Sequence, residues 1–283
     1  MRAELTSPSG WRRPGRVHRA GASVTALVLW LAAGPGRGGD PAATGVRFQS
    51  GLAAVPLLEL YTSEGCNSCP PAEAWFSTLQ SAPGLWKGFV PVALHVDYWD
   101  SQEWKDGFAL PECGSRQRAY ASQWQSPQGY YTPEFIWRGM EWRGWYAGQS
   151  LPLVPSLSAG VLTLSSTTPP EWTAVFTPTR PGLRSFDLHA ALLGFDLRAQ
   201  VTGGENRGRT LRHDFVALAL TTVPMVWTNG TARADFRLPP RADVVPRRLA
   251  AVAWITLGHH LEPVQAVGGW LQSGSSAPSV GAK

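Results

Sequence analysis

Residues 55–72 read VPLLELYTSEGCNSCPPA, and this stretch decides the fold expected for the first half of the chain. The apolar residues at its start are typical of a strand that is buried inside a parallel sheet. The turn TSEG follows, and Pro70 and Pro71 suit the first turn of a helix. We therefore expect a buried strand, a tight turn and a helix that begins near Cys66 and Cys69.

The segments that follow predict further strands, in the order of an α/β domain. Residues 90–96 (VPVALHV) are a second apolar strand, and an aromatic, polar excursion runs from 98 to 128. Residues 131–137 form a third predicted strand with Pro133 near its start, and residues 141–146 form a fourth at the sheet edge. This order of strand, helix, strand, excursion and proline-led hairpin is typical of a thioredoxin-like domain.

Beyond residue 170 the sequence changes to short β-type runs separated by glycine, proline and asparagine. This pattern predicts a small antiparallel β domain of the sandwich type. The expected fold class is therefore an α/β thioredoxin-like domain followed by a small antiparallel β-sandwich-like domain. The expected segments are a signal peptide or targeting segment at 1–45, the thioredoxin-like domain at 46–166, the β-sandwich-like domain at 170–272 and a disordered tail at 273–283.

The first 45 residues have the composition of a secretory signal. Arginines are frequent in residues 1–21, the apolar run ASVTALVLWLAA occupies residues 22–33, and small residues follow it. The apolar run is shorter than the about 20 residues that span a bilayer. We therefore expect a periplasmic or secreted protein without stable membrane insertion once the signal has been removed.

Much of the net positive charge lies in that same segment. The chain has 25 basic and 20 acidic residues; residues 1–45 hold six arginines and two acidic residues, which leaves 19 basic and 18 acidic residues in the rest. The rest of the chain is therefore nearly neutral. This balance removes the electrostatic attraction that drives nucleic-acid binding, so no nucleic-acid partner is expected.

Several separated motifs resemble one known family. They are ELYTSEGCNSCPPA at 59–72, HVDYWD at 95–100, Thr132-Pro133, and GENRGRTL at 204–211. In this order they resemble an uncharacterised, secreted, thioredoxin-like bacterial family, the domain of unknown function 1223. The resemblance implies the fold and a redox-like cysteine pair, but no substrate. The chain departs from the family pattern at Cys113 and in the proline- and glycine-rich segment 151–164.

The cysteine pair has a known chemistry when it opens a helix after a buried strand. Unpaired backbone N–H groups and the positive helix end stabilise a thiolate there, and the thiolate is the nucleophile in disulfide exchange. We expect Cys66 to attack as the more exposed sulfur and Cys69 to resolve the mixed disulfide. The alternative is a static structural disulfide. The third cysteine, Cys113, is expected to be incidental and partly buried.

The resemblance implies roles for two further positions. It implies that Glu59 is a buried acid, with a raised pKa, that relays a proton to the resolving cysteine. It also implies that Thr132-Pro133 is a cis-proline loop facing the cysteines, where the Thr132 backbone pairs with an extended substrate. The alternatives are an ordinary strand carboxylate and a trans proline at a strand edge.

The end of the second predicted strand supplies the remaining candidates. His95 and Asp97 alternate along the chain, so they point to the same face and are expected to lie behind the cysteines. The alternative is a structural histidine held by Asp97. Trp99 follows them and is the aromatic residue that we expect to contact a substrate.

These observations predict a thiol–disulfide oxidoreductase that needs no cofactor. Its partners would be protein or small-molecule thiols and disulfides, together with a redox partner. One alternative is a binding module that holds copper or zinc through Cys66, Cys69 and His95. Another is an envelope adaptor in which the cysteine pair is only structural.

Overall fold

An eight-stranded mixed sheet, called the large sheet below, organises the protein. The computed structural model describes residues 45–153, 157–180, 182 and 185–271. The strand order of the large sheet is β15-β14-β8-β11-β3-β2-β4-β5. Its strands are β2 Leu57–Thr62, β3 Val90–His95, β4 Glu134–Trp137, β5 Met140–Glu141, β8 Phe186–Phe195, β11 Val216–Pro224, β14 Arg248–Leu257 and β15 Pro263–Leu271.

Two smaller sheets complete the β structure of the described residues. The five-stranded sheet has the order β1-β6-β7-β13-β12, and β9 pairs with β10 alone. The strands are β1 Val46–Gln49, β6 Gly160–Thr168, β7 Glu171–Pro178, β9 Leu197–Gln200, β10 Thr210–His213, β12 Val226–Thr228 and β13 Thr231–Arg237. The helices α1 (Cys69–Thr78) and α2 (Pro111–Gln123) lie in the first half of the chain, with short 3-10 turns at Leu79–Ser81 and Gly144–Ala147.

The large sheet is covered on both faces, so its central strands are apolar on both sides. On one face, Leu193 and Val252 join the core that contains Phe76 of α1 and Tyr120 of α2. On the other face, their neighbours Leu192 and Ala251 pack with the five-stranded sheet. Alternate residues of a strand point to opposite faces, which explains why β8 and β14 have almost no polar positions.

The expected fold class is wrong. The chain does not form an α/β thioredoxin-like domain followed by a separate β-sandwich-like domain, because strands from both halves share the large sheet. β11 pairs with β3 in parallel through Val216 and Ala93, and β8 and β14 extend the same sheet. Strands β8 and β14 lie inside the large sheet between β15 and β11, and short apolar runs do not distinguish such strands from those of a small independent domain.

Most of the local elements expected around the cysteines are present. β2 and β3 lie where two buried strands were predicted, and they pair in parallel with Leu57 opposite Val90. The helix begins at Cys69, and the expected fourth strand is reduced to the two residues of β5, followed by the 3-10 turn. Pro169 and Pro170 form the turn between β6 and β7.

The predicted signal segment at 1–45 lies almost entirely outside the described residues, as does the predicted tail at 273–283. None of the helices in the described part of the chain has the length and apolarity to cross a bilayer.

Candidate functional site

The cysteine pair lies at the junction between the β2 turn and helix α1. Cys66 and Cys69 form a disulfide, and their Cα atoms are 5.5 Å apart. Cys69 is the first residue of α1 and is fully buried, while Cys66 precedes the helix and is 1% exposed. The two residues between them, Asn67 and Ser68, are exposed. The disulfide therefore lies directly under a surface turn, and Cys66 is far less exposed than expected.

Two polar groups lie beside the sulfur of Cys66. The Oγ of Ser68 lies 3.2 Å from the Cys66 Sγ, and the carbonyl oxygen of Thr132 lies 3.6 Å from it. The indole Nε1 of Trp99 donates to the Thr132 Oγ1 at 2.9 Å. The Thr132–Pro133 bond is cis, as expected. The structure thus brings together Cys66, Cys69, Thr132, Pro133 and Trp99.

The start of helix α1 offers fewer hydrogen-bond donors than expected. Ser68 is the N-cap residue and makes no side-chain capping bond, and Pro70 and Pro71 have no N–H group. The N–H of Cys69 donates to the carbonyl oxygen of Cys66 at 3.3 Å. The Ser68 hydroxyl is therefore the side-chain donor that faces the Cys66 sulfur at the start of the helix.

A loop from the second half of the chain holds the turn that contains Cys66. The side-chain amide of Asn206 is fully buried and donates to the carbonyl oxygens of Glu64 at 2.9 Å and Cys66 at 2.8 Å. Gly204 has a positive φ of +64°, and a Cβ there would lie 2.8 Å from the Cα of Gly65. This close approach requires glycine. The GENRGR motif is therefore a clamp on the cysteine turn.

Glu59 contacts an arginine and two tyrosines, which its predicted role as a proton relay does not require. Its carboxylate accepts from the Arg116 Nε at 2.5 Å, from the Tyr120 hydroxyl at 2.8 Å and from the Tyr61 hydroxyl at 3.2 Å. Within the described residues no hydrogen bond joins it to either cysteine. These contacts favour a structural ion pair between β2 and α2 over the predicted proton relay.

His95 is part of a buried charged cluster that sequence reasoning missed. Its Nδ1 lies 2.9 Å from the Oδ2 of Asp106, and the Nδ1 of His213 lies 2.5 Å from the Oε2 of Glu73. The exposed fraction of these four residues is 7% or less. Glu73 could have been noticed because it lies beside Cys69, Ala72 and Phe76 on the buried side of α1, but no local pattern indicates His213 or Asp106.

The pKa values in this cluster are governed by competition between burial and opposite charge. Burial alone would lower the pKa of His213, but the carboxylates of Glu73 and Glu64 outweigh it and raise that pKa to about 10. Burial would likewise lower the pKa of His95, but the neighbouring Asp106 carboxylate outweighs burial and raises that pKa. Burial would raise the pKa values of Glu73 and Asp106, but their imidazole partners lower both.

Asp97 and Cys113 lie outside this cluster. Asp97 has Arg118 at 3.8 Å as its charged neighbour, so the expected pairing of His95 with Asp97 is replaced by the pairing of His95 with Asp106. Cys113 is a free, fully buried cysteine of α2, and burial raises the pKa of its thiol. Its burial agrees with an incidental thiol.

Glu134 is a further titratable group near the site, and it directly follows Pro133. Burial raises its pKa to about 7. The amide of Gln117 on α2 donates to the Glu134 Oε2 at 2.6 Å and to the carbonyl oxygen of Tyr131 at 2.7 Å. Helix α2 therefore holds the segment that brings Thr132 to the cysteine pair.

Solved structures are similar to this chain at low sequence identity. Protein AGR_C_4864 from Agrobacterium tumefaciens is similar with a TM-score of 0.51 and 20% identity, covering 80% of this chain and 97% of that chain. HBP35 of Porphyromonas gingivalis gives a TM-score of 0.49 and 13% identity, covering 83% of this chain and 80% of that chain. A comparison with curated proteins finds no match.

The match to a family model covers most of the chain. The model described as "Protein of unknown function (DUF1223)" matches residues 57–256, which include the cysteine pair, Thr132-Pro133 and the GENRGR clamp. The match spans more than half of the chain, and the protein therefore belongs to the DUF1223 family.

Proposed function

We propose that the protein catalyses thiol–disulfide exchange through Cys66 and Cys69. The observation that carries this proposal is the position of the disulfide under the exposed turn at Asn67 and Ser68, with the Cys66 sulfur 3.6 Å from the Thr132 carbonyl oxygen. A client disulfide that docks against Thr132 would meet Cys66 before Cys69, because Cys69 is fully buried at the start of α1.

The exchange has two steps. In the reduced protein, the Cys66 thiolate attacks one client sulfur, and the other client sulfur leaves as a thiolate that takes up a proton. The Cys69 thiol then loses its proton and attacks the Cys66 sulfur, which releases the second client thiolate. Two electrons and two protons have then passed to the client, and the Cys66–Cys69 disulfide has formed. The same steps in reverse oxidise a client dithiol.

Neighbouring groups have distinct parts in this proposal. The Ser68 hydroxyl donates to the Cys66 thiolate, which favours the charged, nucleophilic form. Trp99 holds Thr132 through its indole N–H, so the carbonyl oxygen of Thr132 stays beside the sulfur. The clients are protein or small-molecule thiols and disulfides, and a second thiol or disulfide partner restores the starting redox state.

A structural disulfide in a non-enzymatic binding protein is the second candidate. It is favoured by the 1% exposure of Cys66 and by the clamp of Asn206 on the Cys66 carbonyl oxygen. A sulfur held in this way is hard for a client to reach. This candidate predicts that the pair remains oxidised in the folded protein and exchanges with no client.

Exchange with a model peptide disulfide separates the two candidates. The reduced wild-type chain should reduce the peptide, Cys66→Ser should abolish the reaction, and Cys69→Ser should accumulate a mixed disulfide at Cys66 that mass spectrometry detects. Cys113→Ala is the matched control because Cys113 is outside the disulfide, and it should keep wild-type exchange. A wild-type chain that exchanges no faster than Cys66→Ser would contradict catalysis.

We also propose export to the periplasm or the exterior. The cysteine pair is oxidised, which suits an oxidising compartment, and residues 1–45 have the composition of a secretory signal. Fusion of residues 1–45 to a reporter that is active only after export tests the proposal. An inactive reporter that remains in the cytoplasm would contradict it.

A further inference from the structure

A pocket of about 430 Å³ opens between the large sheet and the five-stranded sheet. Phe176 of β7 and Phe186 of β8 are its most deeply buried lining residues, and their rings meet nearly edge to face at 5.1 Å. Leu257 of β14 and Val264 of β15 are half-buried lining residues. Pockets that bind small organic molecules measure about 300–1,000 Å³ and are mostly apolar. The pocket therefore has the size and the lining to hold an apolar ligand body.

The rim of the pocket exposes a further apolar side chain. Leu157 lines the pocket and is 48% exposed, and its carbonyl oxygen accepts from the N–H of Ala54 at 2.8 Å. That hydrogen bond fixes the backbone of the rim. Together with the half-buried Leu257 and Val264, Leu157 supplies apolar surface that an occupant of the pocket would remove from water.

Two arginines give the pocket a positive charge. Arg138 is half-buried in the turn between β4 and β5, and Arg180 is exposed just after β7. Glu262 is the one carboxylate among the described lining residues, and His260 is the one histidine. Two guanidinium groups against one carboxylate leave a net charge of +1 with His260 neutral, and +2 when His260 is protonated. The pocket therefore favours an anionic group beside its apolar lining.

Arg138 occupies a backbone conformation that other residues adopt more readily. Its φ is +54°, and Gly139 follows it with a φ of +82°. A two-residue hairpin turn with two positive φ angles favours asparagine or glycine first, because the left-handed region is unfavourable for long side chains. A Cβ at Gly139 would lie 2.9 Å from the Cα of Glu262, so the turn packs closely against the segment before β15. An arginine kept in this strained position indicates that its guanidinium has a use in the pocket.

We propose that the pocket binds a small apolar carboxylate, of the kind represented by a medium-chain fatty acid. The aliphatic chain packs against Leu157, Leu257 and Val264, and the carboxylate accepts hydrogen bonds from the Arg138 guanidinium. Arg180 adds positive charge at the mouth of the pocket. A neutral chain would offer the arginines no charged partner, and a cationic chain would be repelled by them.

This site is separate from the cysteine pair. The backbone N–H of Arg138 donates to the carbonyl oxygen of Leu57, the first residue of β2, at 3.0 Å. Cys66 lies beyond Thr62, at the other end of the same six-residue strand. A strand of that length is about 20 Å long. Ligand binding is therefore an additional property of the protein and does not depend on thiol–disulfide exchange.

Calorimetric titration of the full chain with decanoate tests the proposal. At low salt and below the micelle concentration, the wild-type protein should bind one decanoate per chain. Shortening the probe from decanoate to hexanoate should weaken binding by up to about fourfold for each methylene removed, because less apolar surface is buried. Decanol and the decylammonium cation should each bind at least about tenfold more weakly than decanoate, since a hydrogen bond to a charged group is lost.

Matched variants assign the charged group. Arg138→Asn should weaken decanoate binding at least about tenfold without lowering the unfolding temperature, because asparagine adopts a positive φ readily. Glu262→Gln should tighten binding about twofold to fivefold by removing the opposing carboxylate. Arg198→Gln, at an exposed position of β9 outside the pocket, is the control and should leave the affinity unchanged. Cys66→Ser should bind decanoate as the wild type does.

Two results with the wild-type chain would overturn the proposal. They are the absence of saturable decanoate binding, and equal binding of decanol and decanoate, which would show that no charge is recognised. Unchanged affinity in Arg138→Asn would overturn it as well. Loss of decanoate binding in Cys66→Ser would place the ligand at the cysteine pair instead, and would therefore also contradict a separate site.

Discussion

At the scale of single residues, the proposed exchange depends most directly on the Ser68 hydroxyl, which faces the Cys66 sulfur. Its Oγ lies 3.2 Å from the Cys66 Sγ, and the two prolines of α1 offer no N–H to replace it. A hydrogen bond to a charged group contributes about 1.5–3 kcal/mol. The sequence pattern predicted activation of Cys66 by helix N–H groups, whereas Ser68 is the donor that faces its sulfur.

Ser68→Ala should therefore slow alkylation of the reduced cysteine pair at pH 7 by about tenfold, because less of Cys66 is thiolate. The rate is measured with iodoacetamide and mass spectrometry of the Cys66 peptide. Asn67→Ala is the control, since residue 67 is exposed in the same turn and its recorded contact is made by the backbone N–H. Equal rates for Ser68→Ala and wild type would show that the hydroxyl does not act on the sulfur.

Glu134 gives a pH-dependent prediction. Burial raises its pKa from the ordinary 4.5 to about 7, so the folded state resists ionisation and the free energy of unfolding falls as pH rises from about 4.5 through 7. Glu134→Gln should remove this loss and be more stable than wild type by about 2 kcal/mol at pH 8. The difference should vanish near pH 4.

Urea unfolding at pH 4 and pH 8 measures that difference. Glu112→Gln, at an exposed position of α2, is the control and should change stability little at either pH. If Glu134→Gln is less stable than wild type at pH 8, burial does not raise the pKa of Glu134 as stated.

At the scale of elements, the loop between β9 and β10 holds the turn that carries the disulfide. Asn206 donates to two carbonyl oxygens of the cysteine turn, and the turn is continuous with helix α1. The GENRGRTL motif stands out in the sequence, but its partner lies about 140 residues away along the chain. Only the pairing of distant strands brings the two segments together.

Asn206→Ala should cost about 2–4 kcal/mol of stability, because two buried carbonyl oxygens lose their donor. It should also speed reduction of the Cys66–Cys69 disulfide by dithiothreitol under native conditions, because the turn opens more readily. Arg207→Ala is the neighbouring exposed control. If reduction of Asn206→Ala were no faster than that of the wild type, the loop would not limit access to the disulfide.

At the scale of the whole molecule, sequence reasoning succeeded where the determining contacts are local. The strand–turn–helix around Cys66 follows from apolar runs, turn residues and prolines that lie within 20 positions of one another. It failed for β8 and β14, because a strand that is apolar on both faces does not reveal which layers cover it. The contact of His95 with His213 was missed because the two residues lie far apart in the sequence, and no pattern marks Asp106, which bonds His95 from only 11 residues away.

The shared large sheet predicts one cooperative unfolding transition. β3 from the first half pairs with β11 from the second, so neither half keeps its sheet intact without the other. Tryptophan fluorescence and far-ultraviolet circular dichroism should give coincident urea curves for the full chain. Two separated transitions would mean that the halves fold independently, as the sequence had suggested.

The redox titration of the native protein tests the central claim, which is that the Cys66–Cys69 disulfide opens and closes in the folded state. The full chain is equilibrated in glutathione buffers of graded potential and alkylated, and mass spectrometry then measures the fraction of chains in which the cysteine pair is reduced. We predict a reversible two-electron transition at a potential above about −300 mV, within the range of exchanging pairs. A pair that stays oxidised until the protein unfolds would contradict the claim and establish a structural disulfide.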